Sequence, residues 1–294
     1  MFEFQQNAGA FLILAIAIVL GEMLWRRSSR RSYDFGALGA TLAIYAGQIL
    51  ASAVTASVVV LVWRAAYELA PIQWDDSDWR VWLACFFLVE LVYYWEHRLS
   101  HTVRWLWATH AVHHSPNELV LPAAFRLGWT GLVSGGWLFF TTVAFVGFPP
   151  FMIALWLVGG LRYQFFLHTE YVGRLGPLEW ILNTPSNHRV HHSSRQEHVD
   201  KNFGSVFMVF DHLFGTYAGE KTGTDMCYGL TDPIRSNNPF RIAFREWKRM
   251  AKDVLAADSP ARAMGAAFGR PRHARPPAPG EHSARARRCT LSRS

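Results

Sequence analysis

Histidines in closely spaced groups are the residues of this chain most able to carry chemistry. Ten of its 13 histidines lie between His97 and His198. They form an HxxxH motif at residues 97–101 and two HxxHH motifs at residues 110–114 and 188–192, with His168 between the last two. All of them adjoin strongly apolar segments, where an unpaired imidazole is costly. A shared metal centre is the most economical reason to place so many imidazoles there.

Nine of these histidines are candidate metal ligands. On a helix, residues i, i+3 and i+4 lie on one face, so each motif can direct its rings to the same side. The candidates are His97, His101, His110, His113, His114, His168, His188, His191 and His192. Nine rings exceed what one ion of about four to six ligands can take, so two metals fit the count better. Imidazole alone does not choose among iron, copper, zinc and nickel.

Other polar residues could orient these rings. Glu90 lies two helical turns before His97, and we expect its carboxylate to hold an imidazole from behind. Asp211, Asn202 and Asp200 are weaker candidates for the same role. The isolated His198 and His212 are expected to be structural.

Five apolar runs predict helices that cross a membrane. They cover residues 8–25, 35–63, 79–95, 128–148 and 151–167, each near the ~20 residues that a spanning helix needs. Some of them could instead be re-entrant or interfacial. The chain is 51% hydrophobic and has 13 Trp, which is ordinary for a membrane protein with aromatic belts. The expected fold is therefore all-α: a multi-pass transmembrane bundle with a cytoplasmic helical cap that holds a histidine-rich dimetal site.

The charges predict an orientation. The arginine cluster at residues 26–31 should be cytoplasmic, which leaves the N-terminus outside. The acidic loop at residues 64–78 then lies outside, and all the histidine motifs, with the C-terminus, lie on the cytoplasmic side. Because the positive charges follow the first apolar run, this run does not read as a cleaved signal peptide.

Three regions are expected along the chain. Residues 1–78 hold N-terminal transmembrane helices, residues 79–250 form the catalytic domain, and residues 251–294 form a disordered basic tail. The tail has nine Lys or Arg against three Asp or Glu, which is nearly all of the net charge of +7. The excess of positive charge is thus confined to the C-terminal tail and does not indicate a nucleic-acid partner. The three cysteines form no CxxC motif, so no cysteine-based zinc or iron–sulfur site is expected.

The motifs resemble those of the fatty acid hydroxylase / sterol desaturase superfamily, the membrane histidine-box oxygenases. Three segments carry the likeness: Tyr93-Tyr-Trp-Glu-His-Arg-Leu-Ser-His101, His110-Ala-Val-His-His114 and Asn183-Thr-Pro-Ser-Asn-His-Arg-Val-His-His192. Residues 200–204 and 210–217 extend the match, which covers roughly residues 80–218. Residues 168–179 look most like the alkylglycerol monooxygenase branch.

The resemblance implies a non-haem diiron oxygenase that hydroxylates or desaturates a lipid, whether fatty acyl, sterol or ether lipid. The nine histidines would be ligands of two irons, and O2 would be the co-substrate. Electrons would come from a donor protein or from a soluble reductant such as a pterin. The protein would be an integral membrane protein of a bacterial inner membrane or an ER-type membrane.

Two other functions fit a histidine-rich membrane protein. One is a zinc-dependent membrane lipid hydrolase, in which the metal activates water. The other is a non-catalytic membrane protein that binds or transports metal. The absence of an HExxH motif argues against a zincin-type intramembrane protease.

Overall fold

The computed structural model describes residues 2–223 and 226–271, which form helices and irregular segments. Within these residues β-structure is limited to two isolated bridges, Leu182 with Phe207 and Ser193 with Tyr228. The all-helical prediction is therefore confirmed for the described part of the chain. The α-helices are α1 Phe2–Ser28, α2 Phe35–Glu68, α3 Trp79–Thr102, α4 Arg104–His110, α5 Gly131–Ser134, α6 Thr141–Phe145, α7 Pro150–Phe165, α8 Leu178–Ile181, α9 Pro185–His191, α10 Val209–Leu213, α11 Pro239–Leu255 and α12 Pro260–Phe268. Three 3₁₀ helices cover Leu121–Phe125, Gly136–Phe140 and Gln196–His198.

Two helices are long and apolar enough to cross a membrane. They are the Gly9–Ser28 part of α1, with a mean hydropathy of 1.8, and α2, with 1.9. Few of their residues are buried within the protein, and large apolar side chains such as Ile13 and Leu50 are more than 70% exposed. Side chains of this kind are stable in contact with lipid and costly in water.

The other three predicted spans take different forms. The run at residues 79–95 is the first part of α3, whose polar residues Arg80, Glu90 and Glu96 interrupt the apolar composition of a span. The run at 151–167 lies mostly in α7, which has 16 residues and is short for a crossing. The run at 128–148 is broken into α5, a 3₁₀ helix and α6. Within the described residues, two of the five predicted spans therefore have the length and composition of a membrane helix.

Glycines explain the break in the run at 128–148. Gly135 ends α5 in a left-handed conformation with φ of 78°, which a side chain would strain. A Cβ on Gly136 would lie 2.5 Å from the Glu96 carboxylate of α3. Apolar composition alone does not reveal such a break.

The core joins α2, α3, α6 and α7. Val59 and Trp63 of α2 pack with Cys85 and Val89 of α3 and with Val143 of α6. Aspartates cap two of these helices, Asp34 for α2 and Asp78 for α3. The second half of α3, which carries His97 and His101, is buried as well.

The predicted disordered tail starts too early at residue 251. Helix α11 continues to Leu255, and α12 packs against α4 and α11 through Met250, Ala108 and Ala267. The Arg104 guanidinium of α4 also donates to the Ala266 carbonyl. Small apolar residues of α12 fit between neighbouring helices even though the local composition is basic and Pro-rich. Residues 272–294 of the predicted tail lie outside the described residues.

Candidate metal centre

Helices α3 and α4 supply the first rings. His97 and His101 lie four residues apart on the last turns of α3, so both point to one side. Val103 has an extended backbone that separates α3 from α4, and α4 ends at His110. His113 and His114 follow in the turn after α4.

Helix α9 and the chain after α7 supply the remaining rings. Thr184 caps α9, and Pro185 occupies its first turn, where a missing N–H costs nothing. His188 and His191 lie on α9, and His192 is the residue after it. His168 lies three residues beyond the end of α7, in irregular chain.

The structure brings all nine predicted rings together in two adjacent groups. The five-histidine group consists of His97, His101, His110, His114 and His191, and the four-histidine group of His113, His168, His188 and His192. In each group, one ring nitrogen from every member lies within 4.8 Å of the others. The groups touch, since the rings of His114 and His192 stack at 4.4 Å between centroids. Each HxxHH motif contributes to both groups.

The distances between ring nitrogens suit metal ligands. Two nitrogens bound at ~2.1 Å to one ion, with an angle of about 90° to 109°, lie roughly 3.0–3.4 Å apart. The Nε2 atom of His110 is 3.1 Å from that of His97 and 3.2 Å from that of His114. In the four-histidine group, the Nε2 atom of His168 is 3.1 Å from that of His188 and 3.3 Å from that of His113.

Backbone carbonyls orient three of the rings. The Nδ1 atom of His97 donates to the Phe203 carbonyl at 2.9 Å, and that of His168 to the Gln164 carbonyl at 2.8 Å. The Nδ1 atom of His191 donates to the Lys201 carbonyl at 3.0 Å. Because a carbonyl can only accept, the proton of each neutral ring lies on Nδ1, and the Nε2 lone pair faces its group.

Unpartnered nitrogens show that the groups fit metal ions. The Nε2 atoms of His191 and His192 are fully buried, and within the described residues neither has a hydrogen-bond partner. Leaving such atoms without a partner is costly. A metal ion at the centre of each group would satisfy these lone pairs, and imidazole is an ordinary ligand of iron, copper and zinc.

Burial keeps these rings neutral. It lowers the pKa of His97 and of His168 to about 4. Five more rings have a pKa well below the usual value of a histidine: His113, His114, His188, His191 and His192. Burial is the main cause, and repulsion between the charged forms of neighbouring rings adds to it. Neutral imidazole is the form that binds a metal, so no proton has to be displaced near pH 7.

The residues predicted to orient imidazoles act indirectly. Glu90 accepts hydrogen bonds from the backbone N–H groups of Val206 and Phe207, not from a ring. Asp211 accepts from the N–H groups of Phe203 and Gly204. Glu90 and Asp211 therefore fix the loop at residues 203–207, whose Phe203 carbonyl binds His97. Helical spacing indicates the face of α3 on which Glu90 lies, but it does not reveal the loop through which Glu90 acts on His97.

The loop at residues 200–202 is held by its own unusual backbone. Asp200 and Asn202 have positive φ of 58° and 59°, a conformation that Asp and Asn tolerate better than most residues. The Asn202 side chain donates to the carbonyls of Asn187 and Ala218 and accepts from the Ala218 N–H. Lys201, between them, presents its carbonyl to His191. A carboxylate oxygen of Asp200 lies 3.9 Å from Nδ1 of His101.

Two further histidines lie outside both groups. The Nδ1 atom of His198 is 2.9 Å from the Ser193 hydroxyl. His212 stacks between the rings of Trp180 and Tyr217. Both contacts are structural.

Sequence reasoning missed the residues that aim the rings. The carbonyls of Gln164, Lys201 and Phe203 carry no residue-type signal, so no motif could have shown them. It also passed over Glu22, a buried carboxylate of α1. Here a signal existed, because an acidic residue inside an apolar run is costly unless it has a partner.

Comparison with known proteins agrees with this geometry. The family model described as fatty acid hydroxylase matches residues 82–216, which include all nine histidines. Through this segment, the chain is similar to the fatty acid hydroxylase family. The resemblance inferred from the motifs is thereby confirmed.

Two alkylglycerol monooxygenases and an ornithine lipid hydroxylase are among the proteins to which the chain is similar. The alkylglycerol monooxygenase of Homo sapiens is 40% identical over 185 residues, which are 63% of this chain and 40% of that protein. The alkylglycerol monooxygenase of Danio rerio is 37% identical over 79% of this chain and 51% of its own length. The ornithine lipid hydroxylase OlsE of Rhizobium tropici is 27% identical over 80% of this chain and 72% of its length. The chain thus spans about half or less of the alkylglycerol monooxygenases that it matches. No solved structure matches it.

Proposed function

We propose that this protein is a membrane-bound, O2-dependent lipid hydroxylase with two metal ions, one in each histidine group. The observation that carries the proposal is the gathering of nine imidazoles, eight of them buried and that of His110 half-buried, into two touching groups. Among the described residues, neither group includes a carboxylate or a thiolate, and the similar family supplies a precedent for C–H hydroxylation. Iron is the proposed metal, because an all-imidazole site accepts it and C–H hydroxylation needs a redox-active ion.

The protein's own part is to present lone pairs and to exclude water. The carbonyls of Gln164, Lys201 and Phe203 fix three rings in the tautomer that turns Nε2 inward. The rings of His97, His101 and His191 pack against Phe203, and burial of this kind keeps competing water away from a reactive centre. When bound, two irons would supply O2 activation toward an unactivated C–H bond.

The overall reaction sets the requirement for a reductant. One oxygen atom enters the substrate as a hydroxyl group and the other leaves as water, which consumes two electrons and two protons. We propose that a donor protein or a soluble pterin supplies these electrons.

We propose a lipid with a long hydrocarbon chain as the substrate. The relatives are named for alkylglycerols, ornithine lipids and cholesterol, which share a large apolar body and a polar end. Identity of 37–40% with the alkylglycerol monooxygenases makes an ether lipid the first substrate to test.

We also infer that α1 and α2 cross the membrane with the metal centre on the cytoplasmic side. Arg26 and Arg31, at the end of α1, pair with Glu170, two residues after His168. The arginine cluster and the histidine groups therefore share one end of the two helices, and arginine clusters favour the cytoplasm.

The test uses purified full-length protein reconstituted in nanodiscs and loaded with ferrous iron. We expect about two irons per chain and, with alkylglycerol and a reduced pterin, 18O from 18O2 in the product alcohol. Hydrolysis without O2 would instead indicate a zinc-type hydrolase, and metal uptake into vesicles without product would indicate a transporter. Either result would overturn the proposal.

A further inference from the structure

Helix α1 carries two buried charged residues that an anchoring role does not require. Glu22 and Arg26 are each only 4% exposed, whereas most side chains of the Gly9–Ser28 segment face outward. They lie one helical turn apart on the same face. An ionisable residue inside an apolar span is costly unless it has a specific partner.

Both residues connect the same two segments of the catalytic region. Glu22 accepts from the Leu121 N–H at 2.8 Å and from the Thr169 hydroxyl at 2.5 Å. Arg26 donates to Glu170 at 3.1 Å and lies 3.7 Å from Glu118. One segment, residues 118–121, follows the second histidine motif. The other, residues 169–170, directly follows His168.

These two segments follow His113 and His168, which are neighbouring members of the four-histidine group. The Nε2 atoms of His113 and His168 are 3.3 Å apart. His168 lies in irregular chain without a second histidine beside it, so its position depends on contacts from elsewhere. Arg189 supports the same loop through the Thr169 carbonyl, and Glu22 supports it through the Thr169 hydroxyl.

We propose that Glu22 is a positioning residue for His168, acting through Thr169, with Arg26 bracing the same junction. Helix α1 is then part of the scaffold of the four-histidine metal site as well as a membrane anchor. The inference rests on the proposed pair of metal sites and assigns one of them a dependence on α1. Contacts behind metal ligands of this kind typically change affinity by ~10–100-fold.

The experiment is an anaerobic titration of the purified full-length apoprotein with Co²⁺, followed by its visible absorption bands. We expect wild type to bind two equivalents. In Glu22→Ala, one equivalent should stay tight and the other should bind ~10–100-fold more weakly, with loss of its bands. Glu22→Gln keeps one acceptor oxygen and should give an intermediate affinity.

The matched control is Glu68→Ala. Glu68 forms an i,i+4 pair with Arg64 on the other long helix, but both side chains are more than half exposed. This variant should bind both equivalents like wild type. If Glu22→Ala lowers the folded fraction, Thr169→Val is compared with Thr169→Ser, which keeps the hydroxyl and should restore binding.

Three results would overturn the inference. Two unchanged equivalents in Glu22→Ala and Thr169→Val would show that α1 does not position His168. Equal weakening of both equivalents in folded protein would show a general effect of packing. A wild-type protein that binds no metal would refute the proposed function itself, which separates that failure from the failure of this inference.

Discussion

At the scale of residues, burial and backbone carbonyls prepare the imidazoles for metal. Burial lowers the pKa of His97 and of His168 to about 4, so each ring is neutral at physiological pH. Their Nδ1 protons are held by carbonyls, which leaves Nε2 free to bind. The same rings without metal would leave several lone pairs facing one another in a dry interior.

Replacing a single histidine in either group should weaken binding of the metal ion proposed for that group. We expect His191→Ala and His188→Ala each to lose about one of the two proposed irons and to lower turnover at least ~10³-fold, because the proposed O2 chemistry needs both ions. Metal analysis and turnover of alkylglycerol measure the two effects. His212→Ala is the control, since His212 stacks on Trp180 outside both groups. Full activity of His191→Ala would contradict the assigned ligand role.

The loop that orients His191 depends on the Asn202 side chain and on its backbone conformation. Asn202→Ala should lower the free energy of unfolding by ~2–4 kcal/mol, because it removes three hydrogen bonds and places Ala at positive φ. Asn202→Gly removes the same hydrogen bonds without the backbone strain and should cost ~1 kcal/mol less. Thermal unfolding of the apoprotein in detergent measures both. Equal losses in the two variants would show that the positive φ costs nothing.

At the scale of elements, α3 anchors the loop at residues 203–207. The Oε2 atom of Glu90 accepts from two successive backbone N–H groups, those of Val206 and Phe207. Phe203, a few residues earlier, holds His97. A displacement of this loop would therefore move the Phe203 carbonyl and, with it, the ring of His97.

Loss of the Glu90 carboxylate should loosen this loop. Glu90→Ala leaves two N–H groups without their acceptor, and we expect a loss of about 2 kcal/mol in the free energy of unfolding and weaker binding of one metal. Glu90→Gln keeps an acceptor oxygen and should behave much more like wild type. Calorimetry and metal titration of both variants test this, and equal behaviour of the two would refute the role of the acceptor.

Helix α12 should contribute to the folded domain. Ala267 is 9% exposed and packs with Ala108 and Met250, so Ala267→Asp should place a charge among apolar side chains and cost ~2–4 kcal/mol. Ala261→Asp, exposed in the first turn of the same helix, should be close to neutral. Thermal unfolding distinguishes them, and a stable Ala267→Asp protein would show that α12 is not needed for the fold.

At the scale of the whole molecule, the two long helices place the metal centre at one end. Arg26 and Arg31 reach Glu170 at the end that holds the histidines, whereas the Trp74 N–H binds the Gly147 carbonyl at the other. In the proposed function, with α1 and α2 crossing the membrane, a lipid chain would therefore meet the histidine groups near the bilayer surface and not at its middle.

Accessibility labelling should show this orientation. Ser28→Cys and Ser77→Cys place exposed thiols at opposite ends of α1 and α2. An impermeant maleimide should label Ser28→Cys only in inside-out vesicles and Ser77→Cys only in right-side-out vesicles, with wild type as the background. Labelling of both from one side would contradict two crossings.

The sequence by itself predicted the nine clustered rings, the two long apolar helices and the likeness to the fatty acid hydroxylase family, because each depends on local spacing or local composition. The spacing of i, i+3 and i+4 fixes which rings share a face of a helix wherever that helix is placed. Only the tertiary structure decided that each HxxHH motif divides between the two groups, since this depends on how α3, α4 and α9 are placed around His168. It also decided that the carbonyls of Gln164, Lys201 and Phe203 aim the rings, because a backbone carbonyl has the same chemistry at every residue and leaves no mark in the sequence.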